Sequence, residues 1–292
     1  MNVDKHPLAH ATSWLFVPAN RPERIAKALA SGADAVIVDL EDAVAPQEKE
    51  TARAALLAVF ETLSLAQRQR VLVRINANVT SWFEGDVNAL QKLVAQGAAG
   101  AMLPKAEDAP SIALLQAALG SQGVVVPIIE SVWGLQRIDE IASAPNVLRL
   151  AFGHLDFQVD AGMSCGPDEA ELIPVRLAVV LASRRAQLAA AIDGVTVNTQ
   201  DAAVVRADAE RAVRGGFGGK LCIHPMQVAQ VNVAYTPNDA QYQSAIQILS
   251  ASDAAGGGVC VVNGRMVDAP VIALAQKTMQ RYQQALQRNE TL

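Results

Sequence analysis

The sequence is poor in the features that would tie it to a secreted scaffold, a zinc module, nucleic acid or a membrane. Only three of its 292 residues are cysteine, at Cys165, Cys222 and Cys260, with no C-x-x-C pair. That spacing argues against a disulfide framework or a zinc ribbon and reads as reduced, buried thiols of a cytosolic protein. No basic stripe interrupts a chain of net charge −5, so no nucleic-acid surface is expected. The opening MNVDKHPLAHATSW has no apolar h-region, so no secretory signal is expected, and the location is read as cytoplasmic. Its His6 and His10 read as exposed tail residues. The stretch 109–129 carries no charge, but Gly120-Ser121-Gln122-Gly123 and Pro127 interrupt it. It therefore reads as a helix, a loop and a strand rather than a membrane span. No G-x-G-x-x-G follows the first strand, and no nucleophile elbow, catalytic cysteine or zinc-type His/Cys set is expected.

What is present is a rhythm. Hydrophobic residues make up 51% and charged residues 18%, a globular balance. Short β-branched runs alternate with Ala/Leu-rich amphipathic runs. Eight candidate strands follow: 13–19, 35–41, 70–76, 100–106, 124–130, 147–153, 193–198 and 220–225. Most read as continuous apolar runs, the mark of strands buried on both faces. RPERIAKALASG, with Gly32 just past its end, and DAAVVRADAERAVRGG, with Asp201 as N-cap and Gly215-Gly216 as stop, read as connecting helices. The pattern predicts an α/β fold, a (β/α)8 TIM barrel over 1–225. An open doubly wound sheet is the rival. From 226 to 292 the pattern changes to the rest of a helix spanning 225–253, a hairpin turning at Asn263-Gly264, and a last helix. This hairpin-plus-helix reads as a C-terminal extension.

Polar residues gather at one end of these strands. Asp39, Glu41 and Asp42 close strand two, Arg74 strand three, Lys105 strand four and Glu130 strand five. Asp156 follows strand six and His224 ends strand eight. In a (β/α)8 barrel that end carries the active site. Singly, each residue could be a solvated strand end or half of a structural ion pair. As a row they define a candidate site, because unpaired buried charge is costly. Glu130 and Asp156 would face each other from adjacent strands. Two carboxylates and several waters suit one Mg²⁺. Arg74 opposite could clamp a carboxylate or a carbonyl oxygen, and Mg²⁺ with arginine can stabilise an enolate. Lys105 could form a Schiff base or, more simply, pair with Glu107. Asp39, Glu41 and Asp42 could hold metal-bound waters, Arg74, or a helix charge. Gly153 and His154 could line the substrate cavity. His224 could hydrogen-bond structure or move protons.

The strings LFVPANRPER, VIVDLEDAVAP, VRIN, LPKAED, PIIES-x-x-G, FGHLD, GFGGKLCIHPMQV and GRMVDAP occur in this order. Together, over about residues 12–285, they resemble the citrate lyase β-subunit-like family of CoA-ester lyases, relatives of malyl-CoA and citramalyl-CoA lyases. The resemblance implies a Mg²⁺-dependent carbon–carbon lyase acting on a 3-hydroxy-acyl-CoA to give an acyl-CoA and a 2-oxo acid, or the reverse. CoA would be part of the substrate and the assembly a homotrimer or homohexamer. It implies Glu130 and Asp156 as metal ligands and Arg74 as the substrate arginine. It also implies that the C-terminal extension caps a barrel mouth and carries the acid/base, Asp268 of GRMVDAP, often presented to a neighbouring subunit; a helix cap is the plainer role for that aspartate. A CoA-independent aldolase on 4-hydroxy-2-oxo acids, or a citrate lyase β subunit dependent on partner chains, are the other readings. Two positions depart from the family pattern. Thr12 replaces an arginine expected near the CoA phosphates. Trp133 replaces a small residue and would narrow the acyl or pantetheine path.

Overall fold

A computed structural model describes residues 6–256 and 258–291. The first five residues of the N-terminal stretch lie outside the described set. The chain divides into two compact units, Met1–Val231 and Asn232–Leu292.

The first unit is a closed barrel of eight parallel strands in sequence order. They are β1 (Ser13–Pro18), β2 (Ala35–Asp39), β3 (Val71–Arg74), β4 (Gly100–Leu103), β5 (Val124–Ile129), β6 (Ala151–Phe152), β7 (Ile192–Asp193) and β8 (Gly219–Cys222). β1 pairs with β8 through Ser13 and Lys220, which closes the ring. The connecting helices are α1 (Ile25–Leu29), α2 (Lys49–Phe60), α3 (Leu65–Arg68), α4 (Phe83–Ala95) and α5 (Ala109–Leu119). They continue with α6 (Val132–Gln136), α7 (Ile138–Ala142), α8 (His154–Asp160), α9 (Ile173–Arg185), α10 (Ala202–Gly215) and α11 (Pro225–Tyr235). Asp201 caps α10 by accepting from the Ala203 and Val204 N–H groups, and Gly216 stops it with φ 94°. No described helix is long and apolar enough to cross a membrane.

Alternation along each strand sends every second side chain inward. The barrel interior contains Trp14, Ile37, Leu72, Met102, Val126, Ile128, Ile192 and Leu221, with Phe16 and Val195 packed on it. The next inward positions after Ile37, Leu72 and Ile128 are Asp39, Arg74 and Glu130. This parity explains why an apolar strand such as VVVPII runs straight into a carboxylate: the interior ends there and the mouth begins.

Strands six and seven are shorter than expected. Only Val147 bridges to Val125 before the chain leaves the ladder, and β6 resumes at Ala151. Between them lies Arg149, fully buried, whose guanidinium donates to the carbonyls of Ala190, Leu8 and Ala11 and lies 5.3 Å from the Trp14 ring centre. These carbonyls sit at the N-terminal end of the barrel, where Leu8 and Ala9 are buried. His6 belongs to this plug rather than to an exposed tail, because its Nδ1 accepts from the Leu8 N–H at 3.2 Å. Past β7, Gln227 donates to the carbonyls of Thr196 and Asn198, so side-chain bonds replace the strand expected at 194–198.

The second unit holds α12 (Asp239–Ala254), the hairpin strands β9 (Cys260–Val262) and β10 (Arg265–Val267), and α13 (Ala269–Thr291). The single helix expected over 225–253 is two. Pro237 disfavours helical geometry at Thr236, and Asn238 with Gln241 forms a capping box that starts α12 afresh. The hairpin turns at Asn263 (φ 50°) and Gly264 (φ 76°), the left-handed pair of a type I′ turn. Tyr242 and Tyr282 stack at 3.9 Å between α12 and α13. Of the cysteines, all free, Cys222 is buried while Cys165 and Cys260 are only half-buried.

Candidate active site

At the C-terminal ends of the strands a cavity of about 220 Å³ is lined by Arg74, Glu130, Gly153, His154 and Asp156, with Asp42 at its edge and Phe16, Ile128, Phe152, Val195 and Leu221 as its apolar wall. Its polar side is built in two parts.

The first part is a clamp on Arg74. Asp39, the last residue of β2, takes Nε at 2.7 Å and Nη2 at 2.6 Å, a bidentate pair. Glu41 lies 3.0 Å and Asp42 3.6 Å from Nη1. The Phe16 ring lies under the guanidinium at 4.9 Å. Burial alone would lower the pKa of Arg74, but these carboxylates outweigh it and raise it further. Asp39 thus takes the Nε–Nη2 side of the fork, while Glu41 and Asp42 face its outer Nη1 edge. Glu41 is held in turn: its Oε1 accepts from Lys105 Nζ at 2.7 Å. Burial raises the Glu41 pKa against the pull of Arg74 and Lys105. Lys105 lies two residues beyond β4 in a left-handed conformation (φ 46°), off the inward parity of its strand. The expected Lys105–Glu107 pair does not form. Glu107 accepts from Ser131 Oγ at 2.7 Å instead. Burial lowers the Lys105 pKa, yet Glu41 more than restores it, so the net shift is upward. A Schiff-base lysine needs the opposite shift, and Lys105 is instead ion-paired with Glu41. Beneath the clamp, Lys49 donates to the carbonyls of Leu40 and Glu41, and Asn76 to that of Leu40. Asn76 closes the polar end of strand three, Arg74-Ile75-Asn76, whereas Lys49, the first residue of α2, carries no local signal of its role.

The second part is a pair of carboxylates with no such clamp. Glu130 is buried, and its Oε1 accepts only the Lys105 backbone N–H, at 2.7 Å. Burial, then repulsion from Glu41 and from Asp156, pushes its pKa up to about 8. Asp156 is exposed and, as expected, follows β6, in the first turn of α8. Gly153, expected to touch substrate, is better explained by Glu130: a Cβ there would lie 2.3 Å from Glu130 Oε2. Among the described residues no group of three or more His, Cys, Asp or Glu side chains is placed to hold a metal.

His154 forms the cavity wall but points its nitrogens elsewhere. Nε2 lies 3.3 Å from Glu169 Oε1, and Nδ1 occupies the space where a Cβ on Gly194 would be. Glu169 also takes Nη2 of Arg176 and, at 2.8 Å, Nη2 of Arg211. Arg176 is fixed by the fully buried Asp193 at 3.0 Å. Burial would raise the Glu169 pKa, but His154 and Arg176 hold it down at about 2. This network was not anticipated, since its members are spread from position 154 to position 211 and lie on three helices, a loop and a strand end. His224 accepts the Met226 N–H at 3.2 Å, a local structural bond.

Several expected features lie away from the cavity. Thr12 precedes β1, so it sits at the barrel's opposite end, its N–H and hydroxyl both donating to Asp34. Trp133 is exposed on α6 with Arg137 over its ring at 5.7 Å and does not line the cavity. The string Gly162-Met163-Ser164-Cys165-Gly166 has the spelling of a serine elbow, but it lies in the loop after α8 with no strand leading into it. In the second unit, Asp268 precedes α13 and accepts the Val271 N–H at 3.4 Å, a long cap bond.

Known proteins match this architecture over nearly its whole length. A citrate lyase subunit beta-like protein of Deinococcus radiodurans is 35% identical, covering 92% of this chain and 96% of its own. A (3S)-malyl-CoA thioesterase of Cereibacter sphaeroides is 32% identical, covering 91% and 93%. The CitE protein of Mycobacterium tuberculosis, solved with magnesium, acetoacetate and coenzyme A, superposes with a TM-score of 0.81 at 34% identity, covering 94% of this chain and all of its own. The HpcH/HpaI aldolase/citrate lyase model matches residues 12–225. The chain belongs to the HpcH/HpaI aldolase/citrate lyase family, a family of carbon–carbon lyases.

Proposed function

We propose that the protein is a Mg²⁺-dependent lyase that breaks or forms the carbon–carbon bond of a 3-hydroxy-acyl-CoA, such as malyl-CoA or citramalyl-CoA. The observation that carries this reading is one cavity holding two carboxylates without cationic partners, Glu130 and Asp156, beside an arginine whose charge is locked on. The residues fit a hard divalent cation. Glu130 has an oxygen facing the space that Gly153 leaves open, Asp156 is solvent-accessible, and two carboxylates leave room for waters and an oxo acid. When bound there, the ion supplies Lewis acidity toward a carbonyl oxygen.

The remaining chemistry falls to the chain. In cleavage, the substrate hydroxyl gives its proton to Asp268 and the adjacent carbon–carbon bond breaks. The oxygen's electrons form the 2-oxo acid carbonyl, and the bond pair passes to the α-carbon of the acyl-CoA as its enolate, which is then protonated. Arg74 receives the oxo-acid carboxylate and carbonyl oxygen. Asp39 and Glu41 keep its guanidinium oriented, and Lys105 keeps Glu41 in place. Asp268 is assigned as the proton donor to the enolate on the strength of the family resemblance, and the active form as a homotrimer or homohexamer. The test is turnover of the purified chain with malyl-CoA, citramalyl-CoA and free 4-hydroxy-2-oxo acids, with products identified by mass. Acyl-CoA plus oxo acid supports the reading. Free CoA plus the hydroxy acid would mean thioester hydrolysis, turnover of the free acids alone an aldolase, and no turnover without added partner chains a dependent subunit.

A further inference from the structure

The first turn of α8 carries Asp156, and one side chain holds that turn down. Of the three residues that open the helix, Leu155 and Asp156 are exposed and His154 is buried. Gly153 before them offers no side-chain cap. Farther along, Phe157 packs against the Phe152 ring at 5.8 Å, and Asp160 accepts the Val132 N–H at 2.7 Å. Those contacts hold the middle and the end of the helix. At its head, His154 Nε2 faces Glu169 Oε1 at 3.3 Å, and Nδ1 fills the space beside Gly194.

Glu169 makes this contact from an unfavourable backbone. It lies in the loop between α8 and α9, in the left-handed conformation (φ 51°) that a β-carbon disfavours. The side chain supplies what offsets this. Its Oε2 takes Nη2 of Arg176 on α9 and, at 2.8 Å, Nη2 of Arg211 on α10. Arg176 is tied again to Asp193 at the end of β7. Glu169 is thus fixed by its neighbours and turns its other oxygen to the head of α8. The same turn meets the other carboxylate of the cavity, because Gly153, next to His154, packs on Glu130.

We infer, resting on the metal assignment above, that Glu169 is a positioning residue: through His154 it fixes the first turn of α8 and so holds the Asp156 carboxylate where it can share an ion with Glu130. The charge of Glu169 is met by two guanidinium groups, so its contribution is orientation rather than attraction of the ion. A helix end without such a tie frays, and ordering it anew when the ion binds weakens the affinity.

The experiment is calorimetric titration of Mg²⁺ into wild type, His154→Leu, His154→Gln, Glu169→Ala and the His154→Leu/Glu169→Ala double variant. Leucine removes the contact without touching a carboxylate, whereas glutamine keeps an N–H for Glu169. The leucine and alanine variants should each raise the Kd for Mg²⁺ at least about 10-fold, the size expected when a group that orients a metal ligand is lost. His154→Gln should stay within about 3-fold of wild type, and the double variant within about 2-fold of the weaker single one, because both changes break one tie. At saturating Mg²⁺ the kcat of Glu169→Ala should return to within about 3-fold of wild type, since the ligands themselves are intact. Unchanged affinity in the leucine and alanine variants overturns the inference, and so do losses that multiply in the double variant. Hydrogen exchange in chelator is the second readout. Residues 153–161 should exchange at least about 10-fold faster in Glu169→Ala than in wild type, with α5 unaffected. Equal exchange overturns the tie. Wild type that binds no Mg²⁺ overturns the metal assignment instead, and the exchange comparison still judges Glu169 because it needs no ion. Where a His154 variant does not fold, Glu169→Ala decides, since Arg176 and Arg211 keep Asp193 and Asp208 as partners.

Discussion

The mouth of the barrel carries two sets of carboxylates that meet opposite fates. On the β2 side, Asp39 and Glu41 are paired at 2.6 to 3.0 Å with Arg74 and Lys105. On the β5 side, Glu130 accepts one backbone N–H, and its other charged neighbours include Glu41 and Asp156, which repel it. The sets share a residue type and a rim, and differ in whether the fold supplies a cation. Where it does, the result is a rigid, permanently charged arginine. Where it does not, the result is the pair of carboxylates to which we assign the cation from solution. Buried ion pairs lose heavily when one partner is removed, whereas a buried charge without a partner is a standing cost.

Substitutions on the two sides should therefore diverge. Glu130→Ala should lower kcat/KM by at least about 1,000-fold, a larger loss than that of a single transition-state donor, because the metal goes with it. Steady-state assays across Mg²⁺ concentrations check this, and rescue by high Mg²⁺ would contradict it. Asp39→Asn should destabilise the protein by roughly 3–5 kcal/mol, because Arg74 is left buried with half its clamp. Glu130→Gln should leave the metal-free protein as stable as wild type or more so. Denaturant melts of both variants in chelator test the contrast, and equal losses would erase it. Arg74→Lys keeps the charge and loses the fork, and should cost at least about 100-fold in kcat/KM. Near-wild-type turnover would remove Arg74 from the oxo-acid site. The smallest effect belongs to Glu169. Its folded pKa of about 2 lies below the ordinary 4.5, so its contribution is complete above pH 4.5 and fades as pH falls toward 2. Glu169→Gln should remove that part of the pH slope; melts from pH 6 to pH 3 that parallel wild type would say the network adds nothing.

Much of this was legible in the sequence. The eight strands are in the right order because runs such as AVIVD and VVVPII are apolar on both faces and end at an inward-parity polar residue. The parity of Ile37–Asp39, Leu72–Arg74 and Ile128–Glu130 is a local property, so the rim could be read without coordinates. What was not legible is set by long-range partners. Arg149 leaves the ladder to serve carbonyls more than forty positions away or at the N-terminal plug, which no local pattern signals. Lys105 faces Glu41, 64 positions distant, and not its neighbour Glu107. Glu169, Arg176 and Asp193 become a unit only once the barrel closes. The break at Pro237-Asn238 is a different kind of miss, since proline before a capping asparagine was there to be read.

The most direct test of the contrast between the two carboxylate sets is calorimetric titration of Mg²⁺ into the purified protein and into its Glu130→Gln and Asp156→Asn variants. One ion per chain bound by wild type and none by either variant over the same range is the predicted result. Undiminished binding by both variants would contradict it and place the metal elsewhere.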